Sequence, residues 1–261
     1  AYLEALRFSN TRSIIVEEFL TGVEVTAFWM MQDGEAYFLG LGNRHVENNQ
    51  GPDVIPLPVG YTFPSIYTKK YSEEIAPKMV QMLKDSGIRN GLLFLQCIVD
   101  DGVPKAYDLG LRLTGSLEYH IFDKTCGYNP MEMLIRFALT GSEGEMIRDK
   151  VDPHLNGRYG WNISFLVKPG TIAKVIGYEE IKVIPGVIDV IMAHEVGEVI
   201  ELSDRGLLRQ ICCRVLGHSD TVDEMRDAID RVTSTFEVLD ENGRSLLLPV
   251  FDVDKYRNSI V

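Results

Sequence analysis

The 261-residue sequence predicts an α/β (α+β) chain in two parts: an antiparallel, hairpin-rich half over residues 1–152, and a β-rich unit with one helix over residues 153–261. Three observations predict it. Asp33-Gly34 and Asp101-Gly102 each join two apolar runs, and a D-G dipeptide in that setting marks a tight hairpin because both residues tolerate positive φ. Two stretches in the same half carry helix patterns with stop signals. Near residues 152–160, VDPHLNGRYG supplies Pro, Asn and two Gly as a boundary loop, and the texture changes beyond it.

In chain order, YLEALRF (2–8) reads as the end of a helix, and SIIVEEF and VEVTAFWMM as strands around a Thr21-Gly22 turn. Asp33-Gly34 leads into EAYFLGLG, with Phe28, Trp29 and Phe38 assigned to the core. Residues 73–86 have helical periodicity, with Ile75, Met79, Met82 and Leu83 on one face and Gly87 as the stop. LLFLQCIV and PKAYDLGL flank Asp101-Gly102 as strands. Asn129-Pro130 opens the helix MEMLIRFALTG, with Pro in the first turn and Gly141 past the end. Farther on, WNISFLV, TIAKVIG, IKVIPGV, EVIEL and LRQICCRVLG read as short strands between Gly/Pro turns. One helix over residues 222–232 follows the cap-like Ser219-Asp220-Thr221, and a strand pair around Asn242-Gly243 closes the chain.

Composition narrows the function classes. With 45% hydrophobic and 25% charged residues the chain is an ordinary globular sequence, long enough for one large domain or two smaller ones. Runs such as GLLFLQCIV fall far short of the roughly 20 apolar residues of a membrane span. No stretch has the pattern of a secretory signal. Cys97, Cys126, Cys212 and Cys213 include no CxxC and read as buried, reduced thiols of a cytoplasmic protein. Alternation along a strand would let at most one of Cys212 and Cys213 face the core. The net charge of −12, from 26 basic and 38 acidic residues, argues against a nucleic-acid partner while still allowing a locally positive pocket.

The chemistry sits in two stretches. In VEEFLTGVEV (16–25), Glu17 and Glu24 would flank a turn that exposes the backbone of Glu18, Phe19 and Leu20. Such an edge suits a nucleoside, whose base is read by backbone groups and whose ribose donates to a carboxylate. A surface hairpin with merely solvated acids fits the stretch equally well. In KAYDLGLRLTG (105–115), Asp108 and Arg112 lie on a strand preceded by another that carries Gln96. Mg²⁺ takes hard oxygen ligands, commonly one or two carboxylates plus phosphate oxygens. A guanidinium binds a carboxylate or phosphate bidentately, although a structural ion pair is the alternative for Arg112. Thr114, Gly115 and Ser116 make a small loop that can approach such a ligand. Arg44 ends the third strand, where it could hold a carboxylate. His120 could act as a base, yet a lone His is more commonly an ordinary hydrogen-bonded residue. No GxSxG, HExxH or Walker A pattern occurs.

Together, in this order and spacing, these stretches resemble the second half of an ATP-grasp domain, and the β-rich remainder resembles the C-terminal domain of L-amino acid ligases and biotin-carboxylase-like proteins. The resemblance implies roles. Glu17, Glu18, Phe19 and Leu20 would form the adenine hinge and Glu24 would bind ribose. Gln96 and Asp108 would hold Mg²⁺, Arg112 would be catalytic, and Arg44 and Ser116 would meet the substrate. Gln96 and Gly110 stand where the family has Glu and Asn, so one ion on Asp108 is expected rather than two. The lysine strand and Gly-rich loop of the family are not in the sequence.

The implied function is part of an ADP-forming carboxylate–amine ligase that uses ATP and works through an acyl phosphate. Alternatives are a bicarbonate-phosphorylating enzyme like carbamoyl phosphate synthase, or a non-catalytic nucleotide- or metabolite-binding module. Expected partners are a small-molecule carboxylate and an amine, with neither nucleic acid nor membrane; a homodimer is compatible with the reading. The chain alone is expected to bind ATP weakly and to lack ligase activity.

Overall fold

The computed structural model of the protein describes residues 2–46, 54 and 56–255. The first part contains α1 (Tyr2–Phe8), β1 (Val23–Gln32), β2 (Glu35–Val46) and β3 (Pro58–Phe63). Then α2 (Thr68–Lys70) runs through a π-helical turn (Tyr71–Ile75) into α3 (Ala76–Asp85). The hairpin of β4 (Gly91–Asp100) and β5 (Val103–Leu111) follows, then α4 (Tyr119–Cys126) and α5 (Pro130–Thr140). The last part holds β6 (Tyr159–Leu166), β7 (Gly170–Thr171), β8 (Lys174–Ile176), α6 (Tyr178–Lys182) and β9 (Val187–Met192). It ends with β10 (Val199–Ile200), β11 (Ile211–Ser219), α7 (Val222–Thr235) and β12 (Glu237–Leu239).

Local chemistry sets the turns. Asp33 and Gly34 have φ of 52° and 87°, and Asp101 and Gly102 of 48° and 71°. These angles match the right-handed twist of the strands they join, β1 to β2 and β4 to β5. Asn129 caps α5, its side chain accepting from the amides of Met131 and Glu132, and Gly141 ends the helix at φ 76°. Thr221 and Glu224 form a reciprocal capping box at α7.

One eight-stranded antiparallel sheet, in the order β5-β4-β1-β2-β3-β6-β11-β9, organises the molecule. β3 pairs with β6, Tyr61 opposite Asn162, so the sheet runs on across the loop at residues 152–160. Alternate strand residues face opposite sides. Trp29, Leu93 and Leu95 pack with Tyr71 and Leu83 on one face, and Phe28, Met30 and Phe94 pack with Ile121, Phe122 and Met133 on the other. Trp161, Ile163 and Phe165 of β6 pack with Met225, Ile229 and Val232 of α7 in a third core.

Several expectations need correction. SIIVEEF is no strand: residues 13–21 have no regular secondary structure and pair with no strand, with Ile15, Val16 and Phe19 more than 80% exposed. β-prone residues make a strand only with a neighbour to bond and a surface to pack on, and this segment has neither among the described residues. The helix before Gly87 begins at Thr68 rather than at residue 73, and Met82 is exposed, outside the packed face of Ile75, Met79 and Leu83. IKVIPGV is the end of α6, a turn and the first residue of β9, so the C-terminal part has a second, short helix. A register shift between Ile211 and Cys213 breaks the alternation in β11, and Cys212 and Cys213 are both fully buried. Asn242-Gly243 turns the chain after β12, but its far arm returns only as the isolated bridge Leu239–Ser245. Among the described residues no helix is long and apolar enough to cross a membrane.

Candidate functional site

The β4–β5 hairpin sets the chemistry of one sheet face. Gln96 pairs with Asp108 and Phe94 with Gly110, and directly opposed residues project to the same side. Gly110 is there for space. A Cβ on it would lie 2.3 Å from Cε1 and 2.4 Å from Cζ of Phe94, well inside van der Waals contact. The Arg112 guanidinium covers the same ring, 4.8 Å from its centroid. Arg112 also donates to the Leu113 carbonyl at 2.9 Å, so its position is set by ring and backbone together.

A cleft of about 360 Å³ opens on this face. Arg44, Arg112 and Arg214 line it with Gln96 and the loop Thr114, Gly115 and Ser116, and among the described residues no carboxylate lines it. Tyr61, Phe94, Leu57, Pro58 and Leu208 line it as well. Arg44 is held by an ion pair from its Nη1 to Glu24 Oε2, and Tyr107 donates to the same oxygen at 3.1 Å. Arg214 is 9% exposed and donates to Ser164 Oγ at 3.1 Å. Burial pulls its pKa down from the ordinary arginine value, partly offset by the nearby Glu118.

Beneath the loop, Glu118 is 1% exposed and accepts a short hydrogen bond from the Thr114 hydroxyl. Burial raises its carboxyl above the ordinary range, against the opposing pull of the Ser116 and Thr114 hydroxyls. Asn162 of β6 donates to the Ser116 carbonyl. The loop at one side of the cleft is thus pinned from both halves of the sequence.

Of the residues singled out from sequence, Arg44, Gln96, Arg112 and Ser116 meet in this cleft. Glu24 stands at its margin, tied to Arg44, and Asp108 is exposed across from Gln96. Glu17, Glu18, Phe19 and Leu20 do not lie on a hairpin with Glu24. They belong to the irregular segment before β1, where Glu18 comes 3.8 Å from Lys105 of β5. Gly22, at the end of this segment, passes close to β4, since a Cβ there would be 2.0 Å from the Val99 carbonyl oxygen. His120 lies 3.8 Å from Asp189 and stacks on Tyr119, outside the cleft. Arg214 was missed. Its signal was a single arginine inside the apolar run ICCRVLG, because a charge in a buried strand is there for a partner or a ligand.

The donor set decides what the site could hold. The backbone of residues 17–20 makes no hydrogen bond among the described residues, so its N–H and C=O groups face water. Glu24 receives both of its bonds on Oε2, leaving Oε1 as an acceptor. Asp108 and Gln96 offer one carboxylate and one amide oxygen. No group of three or more His, Cys, Asp or Glu side chains suited to a metal occurs among the described residues. That set fits one Mg²⁺ completed by phosphate and water, not two. A larger cavity of about 380 Å³ between α4, α5 and the following loop mixes acidic and basic side chains and lies apart from this chemistry.

The sequence matches no protein-family model and no curated relative. Its likenesses are to solved structures. An L-amino acid ligase from Bacillus licheniformis shares 21% identity at a TM-score of 0.68, over 86% of this chain and 53% of its own. A phosphoribosylglycinamide synthetase from Anaerococcus prevotii shares 15% at a TM-score of 0.73, over 92% and 59%. The biotin carboxylase domain of the 2-oxoglutarate carboxylase from Hydrogenobacter thermophilus, a dimer in complex with MgADP, ADP and bicarbonate, shares 16% at 0.65, over 91% and 50%. The chain therefore has an ATP-grasp ligase-like fold, and it spans somewhat more than half, or half, the length of these structures.

Proposed function

We propose that the chain is the part of an ATP-dependent, ADP-forming ligase that holds the nucleotide edge and the acid substrate, a carboxylate that is activated as an acyl phosphate and passed to an amine. The observation that carries this reading is the convergence of Arg44, Arg112 and Arg214 in one cleft that no described carboxylate lines, beside the Asp108–Gln96 pair, on an ATP-grasp ligase-like fold.

Each residue has a role that follows from its surroundings. Arg112 orients the acid group and counters the negative charge that develops on it, held in place by Phe94 and the Leu113 carbonyl. Arg44, fixed by Glu24 and Tyr107, adds a second positive charge without a flexible side chain to order. Ser116, pinned through Asn162, presents its loop to the same volume. The backbone of residues 17–20 reads the base and Glu24 Oε1 accepts from ribose. Asp108 and Gln96 would hold a Mg²⁺ ion, which would supply charge neutralisation to the phosphates. A second reading, a nucleotide-binding module without catalysis, is favoured by one observation: neutral Gln96 and Gly110 leave a single charged metal ligand.

Calorimetric titration with MgADP and MgATP tests the proposal. Weak binding that requires Mg²⁺ is expected, with Asp108→Ala removing most of the Mg²⁺ requirement and Gln96→Ala leaving most of it. Nucleotide binding equally strong with a chelator present, or unchanged by Asp108→Ala, would remove Asp108 from the metal role.

A further inference from the structure

The structure assigns a second anion site, for a phosphate-class oxyanion, to the cavity where Ser65, Lys69, His154 and Arg158 meet at the far end of β3 from the arginine cleft. The inference stands apart from the proposed function and needs none of its residues.

Strand register makes the site. The β3–β6 ladder ends at the pair Phe63–Gly160. Just past that pair Pro64 and Ser65 leave β3, while Arg158 and Tyr159 lead into β6, and all four line a cavity of about 250 Å³. Lys69 comes to it from α2, and His154 from the far side of the turn Leu155–Gly157. Pro58, at the start of β3, lines the arginine cleft, and it lies about 20 Å along the strand from Pro64.

Every polar side chain around the cavity can donate, and among the described residues no carboxylate lines it. Ser65 is 2% exposed, and its Oγ accepts from the Tyr67 amide at 3.3 Å, which leaves the hydroxyl proton to give. Arg158 is held through Nη1 by the Lys124 carbonyl at 3.2 Å and through Nε by Asp220 at 3.4 Å. Its Nη2 makes no bond among the described residues, and neither the Lys69 ammonium nor the His154 ring has a partner there. Asp152, the acid of this loop, spends its two oxygens on the amides of His154 and Asn156, each at 2.9 Å. The turn between the two basic residues is fixed as well. Leu155, Asn156 and Gly157 stand at φ of 55°, 57° and 75°, and the Asn156 side chain donates to the Thr125 carbonyl at 2.9 Å.

Three basic groups and a buried hydroxyl with a proton to spare thus share one small cavity, in a chain with 38 acidic residues to 26 basic ones. A donor set without an acceptor calls for an anion rich in oxygens. A phosphate group brings at least three acceptor oxygens and close to two charges, and so uses donors from separate elements more fully than the two oxygens of a carboxylate can.

The test is a titration of the 261-residue chain, ¹³C-methyl-labelled at isoleucine and leucine. Ile66 lines this cavity and Leu208 lines the arginine cleft, so the two sites report separately. Inorganic phosphate and glycerol phosphate should each shift the Ile66 methyl saturably, and NaCl at matched ionic strength should not. Acetate should bind there about fivefold more weakly. The tighter of the two phosphates tells a free ion from a monoester as the source, and either one supports the site. Lys69→Gln, a change at an exposed position, should weaken the Ile66 response about fivefold, Lys69→Arg should keep it, and Ser65→Ala should weaken it roughly threefold. The Leu208 response should be the same in all three variants. An Ile66 methyl that moves no more with phosphate than with NaCl, that responds equally in Lys69→Gln, or that favours acetate overturns the proposal. A phosphate response confined to Leu208 overturns it as well.

Discussion

Replacing Gly110 tests whether that position is a lost metal ligand or a seat for an aromatic ring. The added Cβ would stand 2.3 Å from Phe94, where ordinary contact begins near 3.4 Å, so the ring must retreat by about 1 Å. Phe94 is 4% exposed and has Arg112 over its face, so it cannot simply swing into solvent. Overpacking of this kind costs about 1–3 kcal/mol, and replacing Gly by Ala within a strand returns about 0.5–1 kcal/mol. Gly110→Ala should therefore destabilise by about 1.2 kcal/mol at the middle of these ranges and by about 2.5 at most, a fall of roughly 2–5 °C in Tm at the middle value for a chain of this size. Gly110→Asn, which restores the usual ligand of the resembled family, should do worse. Phe94→Ala alone should cost about 3–5 kcal/mol, and the double variant should fall short of the sum by about 1–2 kcal/mol because the clash has gone. Urea melts of the four proteins measure the coupling. A Gly110→Ala protein as stable as the parent, or strictly additive effects, would refute the ring-seat explanation and reopen Gly110→Asn as a harmless restoration of a ligand.

Gly22→Ala would place a Cβ 2.0 Å from the Val99 backbone oxygen, so it should lower the denaturation midpoint and weaken MgADP binding together by shifting residues 17–20. Burial holds His45 down to about 3. Its unfolded form takes up a proton as pH falls through 6.5 while the folded form stays neutral. Stability should thus drop by about 1.4 kcal/mol per pH unit from 6.5 toward 3, and the difference between wild type and His45→Gln in pH-dependent melts isolates this slope. Glu118, raised by burial, contributes stability below its unfolded pKa that is lost as pH rises. Glu118→Gln should therefore match or exceed wild type in Tm at pH 7, and Glu118→Ala, which strands the Thr114 hydroxyl, should fall below both.

What was legible in the sequence was local. The two Asp-Gly turns, the Asn129-Pro130 helix start and the capping residue Thr221 act within a few residues of themselves, and each appears where its chemistry puts it. The helix at residues 73–86 was read from its apolar face, but its first turns carry no start signal, and Met82 fitted the period without meeting a neighbour. SIIVEEF had strand composition and lacks a partner strand, which composition cannot reveal. Gly110 invited reading as an absent ligand, because only the register of β4 against β5 places Phe94 beside it. Arg214 depended on a still longer range, since no motif near it signals that β11 lies two strands from β3.

That long-range pairing explains how an acidic chain makes a cationic pocket. The chain carries 38 acidic residues against 26 basic ones, so an arginine chosen at random has acids around it. The cleft avoids this by drawing its arginines from separate strands: Arg44 from β2, Arg112 from the chain just past β5, and Arg214 from β11, reached through the β3–β6 pairing. The acids nearest to them are spent in other ways. Glu24 uses one oxygen to fix Arg44, and Glu118 is buried under the loop with its carboxyl shifted toward the neutral form. An anion entering the cleft therefore meets positive charge with little local compensation, inside a surface field of the opposite sign that repels it until it arrives. Raising ionic strength should weaken both fields by screening. The net salt dependence of carboxylate binding should then be shallower than three cationic contacts alone would give, and a steep loss of acetate binding between 50 and 500 mM NaCl would show that the surface charge does not oppose entry.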